Sequence, residues 1–169
     1  MTTKKVALIT GANQGLGLET AKQLAKLGYY VYIGSRDKAK GIEAKQKLND
    51  LGVTNVDFIE IDTTDIDSVK LARQRLEKKT KKLDVLINNA GIAGQQPQNL
   101  SFDNIEDLRK VFETNFFGAV QTTQQFIDML KKSDVPRIVN VSSGLGSLTF
   151  HSSSPDFGMY AFYSCSKTA

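Results

Sequence analysis

Short, almost wholly apolar runs alternate along the chain with longer segments in which apolar residues recur every three or four positions. The short runs are rich in β-branched residues and predict strands, because positions that are apolar nearly throughout suit a sheet covered on both faces. Five strands are predicted, at Lys5–Thr10, Tyr29–Ser35, Val56–Asp62, within Leu83–Gly91, and at Pro136–Ser143.

The longer segments predict helices, at Leu16–Gly28, Lys38–Leu51, from Ile66 to Leu76, around Asn104–Thr114 and around Asn115–Lys132. On the last of these helices we expect one apolar stripe, formed by Phe116, Val120, Ile127 and Leu130. The stretch Gly144–Gly158 is rich in Gly and Ser, and it predicts an irregular loop.

This repeated alternation of strand and helix predicts the fold class α/β. Parallel strands joined by helices form right-handed crossovers, which build a doubly wound parallel sheet of the Rossmann type. We expect the strand order 3-2-1-4-5. The 169 residues suffice for one domain with its own core.

Composition and charge bear on the cellular compartment and on the kinds of partner that we expect. Charged residues make up 24% and no apolar run approaches the ~20 residues that span a bilayer, so we expect no membrane segment. The single cysteine, Cys165, and a first strand that leaves no room for a signal peptide favour the cytoplasm. The net charge of +4 includes the basic run Glu77–Lys82, which we interpret as a solvated helix end and not as a nucleic-acid site.

A glycine-rich loop, TGANQGLG at Thr10–Gly17, separates the first predicted strand from the first helix. Its spacing, with Gly11, Gly15 and Gly17, allows a tight turn and leaves the amides of the helix N-terminus free for a pyrophosphate. Glycines at such a turn can also be purely structural. The strand–loop–helix context favours a dinucleotide site.

The end of the second predicted strand bears on which dinucleotide binds. Ser35 stands where an acidic residue would bind the ribose of NAD, and Arg36 follows it. A guanidinium can grip the 2′-phosphate of NADP, while Asp37 is expected to point away. We therefore expect NADP(H) as the preferred cofactor, with NAD(H) possible. The alternative is that Arg36 is an ordinary exposed arginine.

Four motifs follow one another in order: TGANQGLG, NNAG at Asn88–Gly91, NVSS at Asn140–Ser143, and YSCSK at Tyr163–Lys167. With them the chain resembles the short-chain dehydrogenase/reductase family over its whole length. The segments GSRD and TNFFG further resemble its carbonyl reductase branch. The resemblance implies an NADPH-dependent enzyme that reduces an aldehyde, ketone or quinone to an alcohol.

Two other functions stay open. One is a 3-oxoacyl or steroid reductase of the same family. The other is a dinucleotide-binding module without turnover, which the shortness of the chain favours and the presence of a complete set of catalytic residue types opposes. The expected partner is a small carbonyl substrate, and neither a monomer nor a homo-oligomer is preferred.

The resemblance also implies roles for individual residues. The cofactor would be bound by Gly11, Asn13, Gln14, Gly15, Leu16, Gly17, Arg36, Asp62, Thr63, Asn89, Ala90, Gly91, Tyr163 and Lys167. Asp62 would hold the adenine amine. The catalytic residues would be Asn115, Ser143, Tyr163 and Lys167. No metal is expected.

Reduction of a carbonyl requires a proton donor near neutral pH, whereas a free tyrosine has a pKa of about 10. Lys167 lies one helical turn after Tyr163, and its charge favours the phenolate, so that Tyr163 can act as the acid. Ser143 would hydrogen-bond the carbonyl oxygen, and Asn115 would hold a water behind Lys167.

Some features depart from the family pattern. Gln14 replaces a basic residue that NADP-preferring relatives often carry. The sixth and seventh strands and the substrate lobe of the family do not follow Lys167 in this sequence. We expect residues 1–169 to form a single NADP-binding Rossmann domain that is incomplete at its C-terminus, with the fifth strand as an open apolar edge.

Overall fold

The computed structural model describes residues 4–98, 104–153 and 160–169. Five strands form one parallel sheet: β1 Val6–Ile9, β2 Tyr30–Ser35, β3 Val56–Glu60, β4 Val85–Asn88 and β5 Arg137–Asn140. Their order is β3-β2-β1-β4-β5, which confirms the predicted order. The carboxyl ends of all five strands therefore meet at one edge of the sheet, where doubly wound folds bind their ligands.

The helices are α1 Gly15–Lys26, α2 Lys38–Asp50, α3 Ile66–Lys79, α4 Ile105–Phe112, α5 Gly118–Leu130, α6 Leu148–Ser153 and α7 Ala161–Thr168. Asp37, Asp65 and Asn104 start α2, α3 and α4, because each side chain accepts a hydrogen bond from a backbone amide in the first turn. A π-helical segment, Glu113–Phe117, joins α4 directly to α5.

The stretch Gly144–Gly158 is more regular than its composition predicts. It begins with a 3₁₀ turn, Gly144–Gly146, and continues into α6. Ser147, Ser152 and Ser153 use their hydroxyls on nearby backbone groups, which organises a segment that lacks apolar periodicity. Positions 154–158 lie outside the described residues.

Apolar side chains cover the sheet on both faces. On one face Leu8 of β1 packs in a cluster with residues of α3 and α5, such as Val69 and Phe126. On the other face Ala7 and Ile9 pack with residues of α1 and α2. Since neighbouring residues of β1 enter opposite clusters, the run has to be apolar throughout, as its sequence pattern shows.

The predicted stripe on α5 is wrong in part. Leu130 is buried and Ile127 packs against the core, but Val120 is 42% exposed. The buried face of α5 is formed instead by Gly118, Thr122, Phe126, Met129 and Leu130. Gly118 lies there because a Cβ would come within 3.0 Å of the Thr63 carbonyl oxygen, so close packing selects a small residue over a bulky apolar one.

β5 is the edge strand and its four residues are all exposed. Its neighbour β4 pairs with it from Val85–Arg137 to Asn88–Asn140. The predicted open edge is therefore present in this chain. In the part of the chain that the structure describes, we find no helix with the length and apolarity needed to cross a membrane.

Asp84, one residue before β4, ties the amino ends of three strands together. Its carboxylate accepts hydrogen bonds from the Val6 amide at 2.8 Å and the Ser133 hydroxyl at 2.5 Å, and Lys82 Nζ lies 3.3 Å away. Burial favours the neutral acid, but these donors outweigh it and hold the pKa of the Asp84 carboxyl below its usual value. The ionised Asp84 side chain therefore helps to hold β1, β4 and the segment before β5 together.

Candidate active site

The glycine-rich loop lies between β1 and α1 and has the geometry that its spacing predicts. Gly11 and Gly15 have φ angles of 62° and 58°, in the left-handed region where glycine is favoured. Gln14 is the N-cap of α1 and makes no capping hydrogen bond with its side chain. Among the described residues, the first amides of α1 thus have no capping side chain, which is an arrangement that suits a phosphate.

Gly17 allows α1 to pack closely against the end of β4. A Cβ there would lie 2.5 Å from Asn89 Nδ2, 2.8 Å from the Gly11 carbonyl oxygen and 2.9 Å from Ala12 Cα. Two of these three contacts are with backbone, which cannot move aside without shifting the loop. A glycine is therefore required at position 17 by contact, whereas at position 15 it is required by the φ angle.

Thr10 and Asn89 hold the loop to the strand beside it. The Thr10 hydroxyl accepts hydrogen bonds from the amides of Asn89 and Ala90, both at 3.0 Å. Asn89 Nδ2 in turn donates to the carbonyl oxygens of Thr10 at 2.9 Å and Gly11 at 3.1 Å. Thr10 was missed as a site residue by the sequence analysis, because its partners lie some 79 residues away along the chain.

A cleft of about 460 Å³ opens over this loop at the carboxyl edge of the sheet. Twelve of the residues assigned to the cofactor line it: Gly11, Asn13, Gln14, Gly15, Leu16, Gly17, Arg36, Asp62, Thr63, Asn89, Ala90 and Gly91. Asp62 Oδ1 accepts hydrogen bonds from the amide and hydroxyl of Thr64, which orients the carboxylate at the rim.

A second cation that the sequence analysis missed, Lys40, lines the cleft together with Arg36. Lys40 lies in the first turn of α2, and the N-cap Asp37 accepts a hydrogen bond from its amide at 3.0 Å. Asp37 also borders the cleft, so the expectation that it points away is not confirmed. Helix periodicity gave no signal for Lys40, because Arg36 precedes the N-cap Asp37 and lies outside α2.

A second cavity, of about 310 Å³, adjoins the cleft and contains the other two assigned residues, Tyr163 and Lys167. Leu16, Asn89, Gly91 and Ile92 border both cavities. Lys167 Nζ lies 5.9 Å from the centre of the Tyr163 ring and donates a hydrogen bond to the Val141 carbonyl oxygen at 2.8 Å. The Tyr–Lys pair thus lies at one end of a continuous depression.

The burial of Lys167 affects its charge. Because desolvation penalises the ammonium form, burial lowers the pKa of Lys167 below its ordinary value. Lys167 therefore loses its proton at a lower pH than a solvated lysine does.

Asn115 lies in the π-helical segment and is buried beside this pair. Its side chain forms reciprocal hydrogen bonds with the backbone of Ile92, at 2.8 and 2.9 Å, and donates to the Ser166 hydroxyl at 2.9 Å. A Cβ on Gly91 would lie 3.3 Å from Asn115 Oδ1 and 3.5 Å from Lys167 Nζ. The structure therefore brings Asn115 and Lys167 to the same place, against the backbone of Gly91.

The two serines that follow β5 differ in position. Ser143 begins the 3₁₀ turn, and its hydroxyl accepts a hydrogen bond from the Leu145 amide at 3.2 Å. Ser142 lines the second cavity and donates to the Lys167 carbonyl oxygen at 3.1 Å. Of the pair, the structure places Ser142, and not the assigned Ser143, among the residues that line the cavity of Tyr163 and Lys167.

Residues 5–169 match the family model described as short chain dehydrogenase. The chain belongs to the short-chain dehydrogenase family. Short-chain dehydrogenase/reductase 1 of Saponaria officinalis is 35% identical, in a match that covers 86% of this chain and 55% of that protein. The chain thus spans about half the length of this curated relative.

Two solved structures show the same architecture. An NADPH-bound carbonyl reductase from chicken fatty liver has a TM-score of 0.84 and 31% identity, over 98% of this chain and 69% of that one. ElxO with NADP bound also has a TM-score of 0.84 and 31% identity, over 99% of this chain and 64% of that one. These likenesses confirm the Rossmann-type sheet and the family membership.

Proposed function

We propose that this chain carries the cofactor-binding and catalytic residues of an NADPH-dependent oxidoreductase that reduces an aldehyde, ketone or quinone to an alcohol. The observation that carries the proposal is one continuous depression with two cations, Arg36 and Lys40, toward one end and the pair Tyr163 and Lys167 at the other. This arrangement suits a long dinucleotide that is recognised at one end and reacts at the other.

The residues of the cleft fit the cofactor. The open amides at the start of α1 and the space kept by Gly17 suit the pyrophosphate, and Asp62 suits the adenine amine. Arg36 and Lys40 would hold the 2′-phosphate, a role for which Arg36 alone was assigned from the sequence. Two cations at this position favour NADP(H) over NAD(H), in keeping with the NADPH and NADP bound to the two solved relatives.

The bound cofactor would supply a hydride to the carbonyl carbon. Tyr163 would give its phenolic proton to the carbonyl oxygen, and the charge of Lys167 would stabilise the phenolate that remains. The hydrogen bond from Lys167 to the Val141 carbonyl oxygen holds the ammonium near the tyrosine ring. Asn115 would fix the wall opposite through the backbone of Ile92.

A hydroxyl is also needed to steady the developing charge on the carbonyl oxygen. Ser143 is the residue assigned to this role. In this structure its hydroxyl is engaged with the Leu145 amide, as an acceptor, so its proton is free to be donated. Ser142 is the competing candidate, because it borders the cavity.

The test is NADPH oxidation by the full-length protein with a panel of aldehydes, ketones and quinones, repeated with NADH. Tyr163→Phe should lower kcat by roughly 100- to 10,000-fold, since it removes the proton donor, and should leave the Kd for NADPH within about threefold. Tyr29→Phe, which alters a tyrosine before β2 at the other end of the sheet, is the matched control.

Tyr163→Phe with an unchanged kcat would contradict the proton role. Intact NADPH binding without turnover of any carbonyl compound would contradict the enzyme and favour a dinucleotide-binding module. NADH used as well as NADPH would contradict the role of Arg36 and Lys40.

A further inference from the structure

Gln98 is a polar side chain that is only 3% exposed, although it lies in a loop whose neighbouring glutamines, Gln95 and Gln96, are exposed. Glutamine is seldom buried unless its amide is fully used in hydrogen bonds. Gln98 is not among the residues that line the cleft or the cavity of Tyr163 and Lys167.

The carbonyl oxygen of the Gln98 side chain caps α7. It accepts hydrogen bonds from the amides of Phe162 at 2.8 Å and Tyr163 at 3.2 Å. These are the second and third residues of the helix, the positions that an N-cap side chain normally serves. The residue at the N-cap itself, Tyr160, makes no capping hydrogen bond with its side chain. Gln98 therefore acts as the cap from about 65 residues away.

The amide nitrogen of the same side chain holds the loop after β4. Gln98 Nε2 donates to the Ala93 carbonyl oxygen at 2.6 Å. Gly94 makes this close approach possible, because a Cβ there would lie 2.9 Å from Gln98 Nε2 and 2.8 Å from Val111 Cγ2. One side chain thus links the loop to the first turn of α7.

Both linked segments border the cavity of Tyr163 and Lys167. Ala93 and Ile92 form one wall, and Tyr163 lies on α7 itself. Asn115 holds Ile92 from behind and reaches α7 through Ser166, whose hydroxyl donates to the Tyr163 carbonyl oxygen. Gln98 provides a second connection between the Ile92–Ala93 wall and α7. It bonds the backbone amide of Tyr163, whereas Ser166 bonds the Tyr163 carbonyl oxygen.

We propose that Gln98 is a positioning residue for Tyr163. It holds the first turn of α7 at a set distance from the Ile92–Ala93 wall and so sets where the phenol meets the carbonyl oxygen of a substrate. Gln98 acts through the backbone and touches neither substrate nor cofactor. The inference rests on the proposed function, in which Tyr163 is the proton donor.

Two variants separate the two halves of the side chain. Gln98→Met keeps the length of the side chain and removes both the acceptor and the donor. Gln98→Glu keeps the acceptor for the α7 amides, but when ionised it cannot donate to Ala93. Gln95→Met, on the exposed part of the same loop, is the matched control.

Two readouts are measured on the full-length protein. Hydrogen exchange at the Phe162 and Tyr163 amides should become at least roughly fivefold faster in Gln98→Met, since a cap is worth about 1 kcal/mol or more. The kcat of Gln98→Met should fall by roughly 10- to 100-fold, because a small misplacement of a reacting group is costly, while the Kd for NADPH stays within about threefold.

Gln98→Glu gives a signature that loss of stability alone would not produce. Its protonated form can again donate to the Ala93 carbonyl oxygen, so kcat should recover toward that of the unaltered protein as the pH falls. This additional ionisation should be absent from the pH profiles of the unaltered protein and of Gln98→Met. The Glu variant also provides the test if Gln98→Met does not fold.

The inference is overturned if Gln98→Met exchanges and turns over like Gln95→Met, if exchange accelerates while kcat is unchanged, or if Gln98→Glu has the same pH profile as the unaltered protein. Failure of the unaltered protein to reduce any carbonyl compound would count against the proposed function instead. Hydrogen exchange at Tyr163 would then still decide whether Gln98 holds this residue.

Discussion

β1 and β5 are strands of equal length in one sheet, yet they lie in opposite surroundings. Leu8, Leu86 and Ile138 form a single row across β1, β4 and β5. Leu8 and Leu86 are fully buried, whereas Ile138 is 41% exposed. The same type of apolar residue, in the same row, therefore contributes to the core at one end and faces solvent at the other.

This difference distinguishes the proposed cofactor cleft from the proposed catalytic pair. The glycine-rich loop follows β1, so the proposed cofactor cleft is supported by a strand whose four residues are all buried. The Tyr163–Lys167 pair depends on β5 and the segment after it, through bonds from Lys167 to Val141 and from Ser142 to Lys167. In this chain the strand beneath the proposed cofactor cleft is fully buried, whereas the strand beside the proposed catalytic pair is exposed, and hydrogen bonds between side chains and backbone hold both ends.

The largest expected effect is on stability, when the side chains at the two ends of the Leu8–Leu86–Ile138 row are shortened to alanine. Leu8→Ala should lower the free energy of unfolding by about 4 kcal/mol, because it leaves a cavity in a closed core. Ile138→Ala, the matched control, should cost less than about 1 kcal/mol, since the removed atoms are partly solvated. Urea denaturation of the 169-residue chain measures both. Equal losses for the two variants would contradict the contrast between the strands.

The next effect concerns binding at the end of β1. Gly17→Ala would force its new methyl group against Asn89 and the backbone of Gly11, so we expect the Kd for NADPH to rise by roughly 100-fold, about 2.7 kcal/mol. Gly144→Ala is the control, because a Cβ at that position meets nothing within 4 Å. Fluorescence titration with NADPH measures the change. An unaltered Kd for NADPH in Gly17→Ala would show that the glycine-rich loop can shift to accommodate the methyl group.

The smallest expected effect is the loss of stability when the connection between β1 and the segment before β5 is weakened. Asp84 binds the first residue of β1 and the loop before β5, and Asp84→Asn should cost about 2 kcal/mol of unfolding free energy at neutral pH. Since the pKa of the folded carboxyl lies below its unfolded value, this stabilisation is present above the unfolded pKa of about 3.9 and is lost as the pH falls through the folded pKa.

The gap in stability between the unaltered protein and Asp84→Asn should therefore narrow in acid. Urea denaturation of both at about pH 7 and at about pH 3 measures it. A gap that stays constant over this range would mean that the charge of Asp84 does not contribute.

The sequence predicts the parts of the molecule that depend on local pattern. Strand order follows from apolar runs and crossover rules, and Gly11 and Gly15 stand where the backbone needs a positive φ angle. Thr10 and Gln98 were missed because their partners lie far away along the chain, and a threonine or a glutamine in a loop carries no periodic signal. Contacts of this kind are determined only when the elements have packed.

Two other expectations fail for different reasons, one through local contacts and one through a long-range contact. α6 forms in a stretch whose composition predicts a loop, through serine hydroxyls that satisfy the nearby backbone. On α5, Val120 is exposed while Gly118 is buried, because close approach to Thr63 outweighs hydropathy at that point. Hydropathy alone cannot indicate which side of a helix comes closest to its neighbour.

The π-helical segment Glu113–Phe117 has a consequence for tolerance to insertion and deletion. A π turn holds more residues than an α turn, so it rotates everything beyond it relative to what precedes it. Removing one residue there would restore an ordinary α turn and rotate α5 by about 100° against α4. Asn115 would then leave Ile92, and Phe126 would leave the core. The number of residues in the segment therefore sets the relative orientation of α4 and α5, and chain length at this point is a constraint separate from residue type.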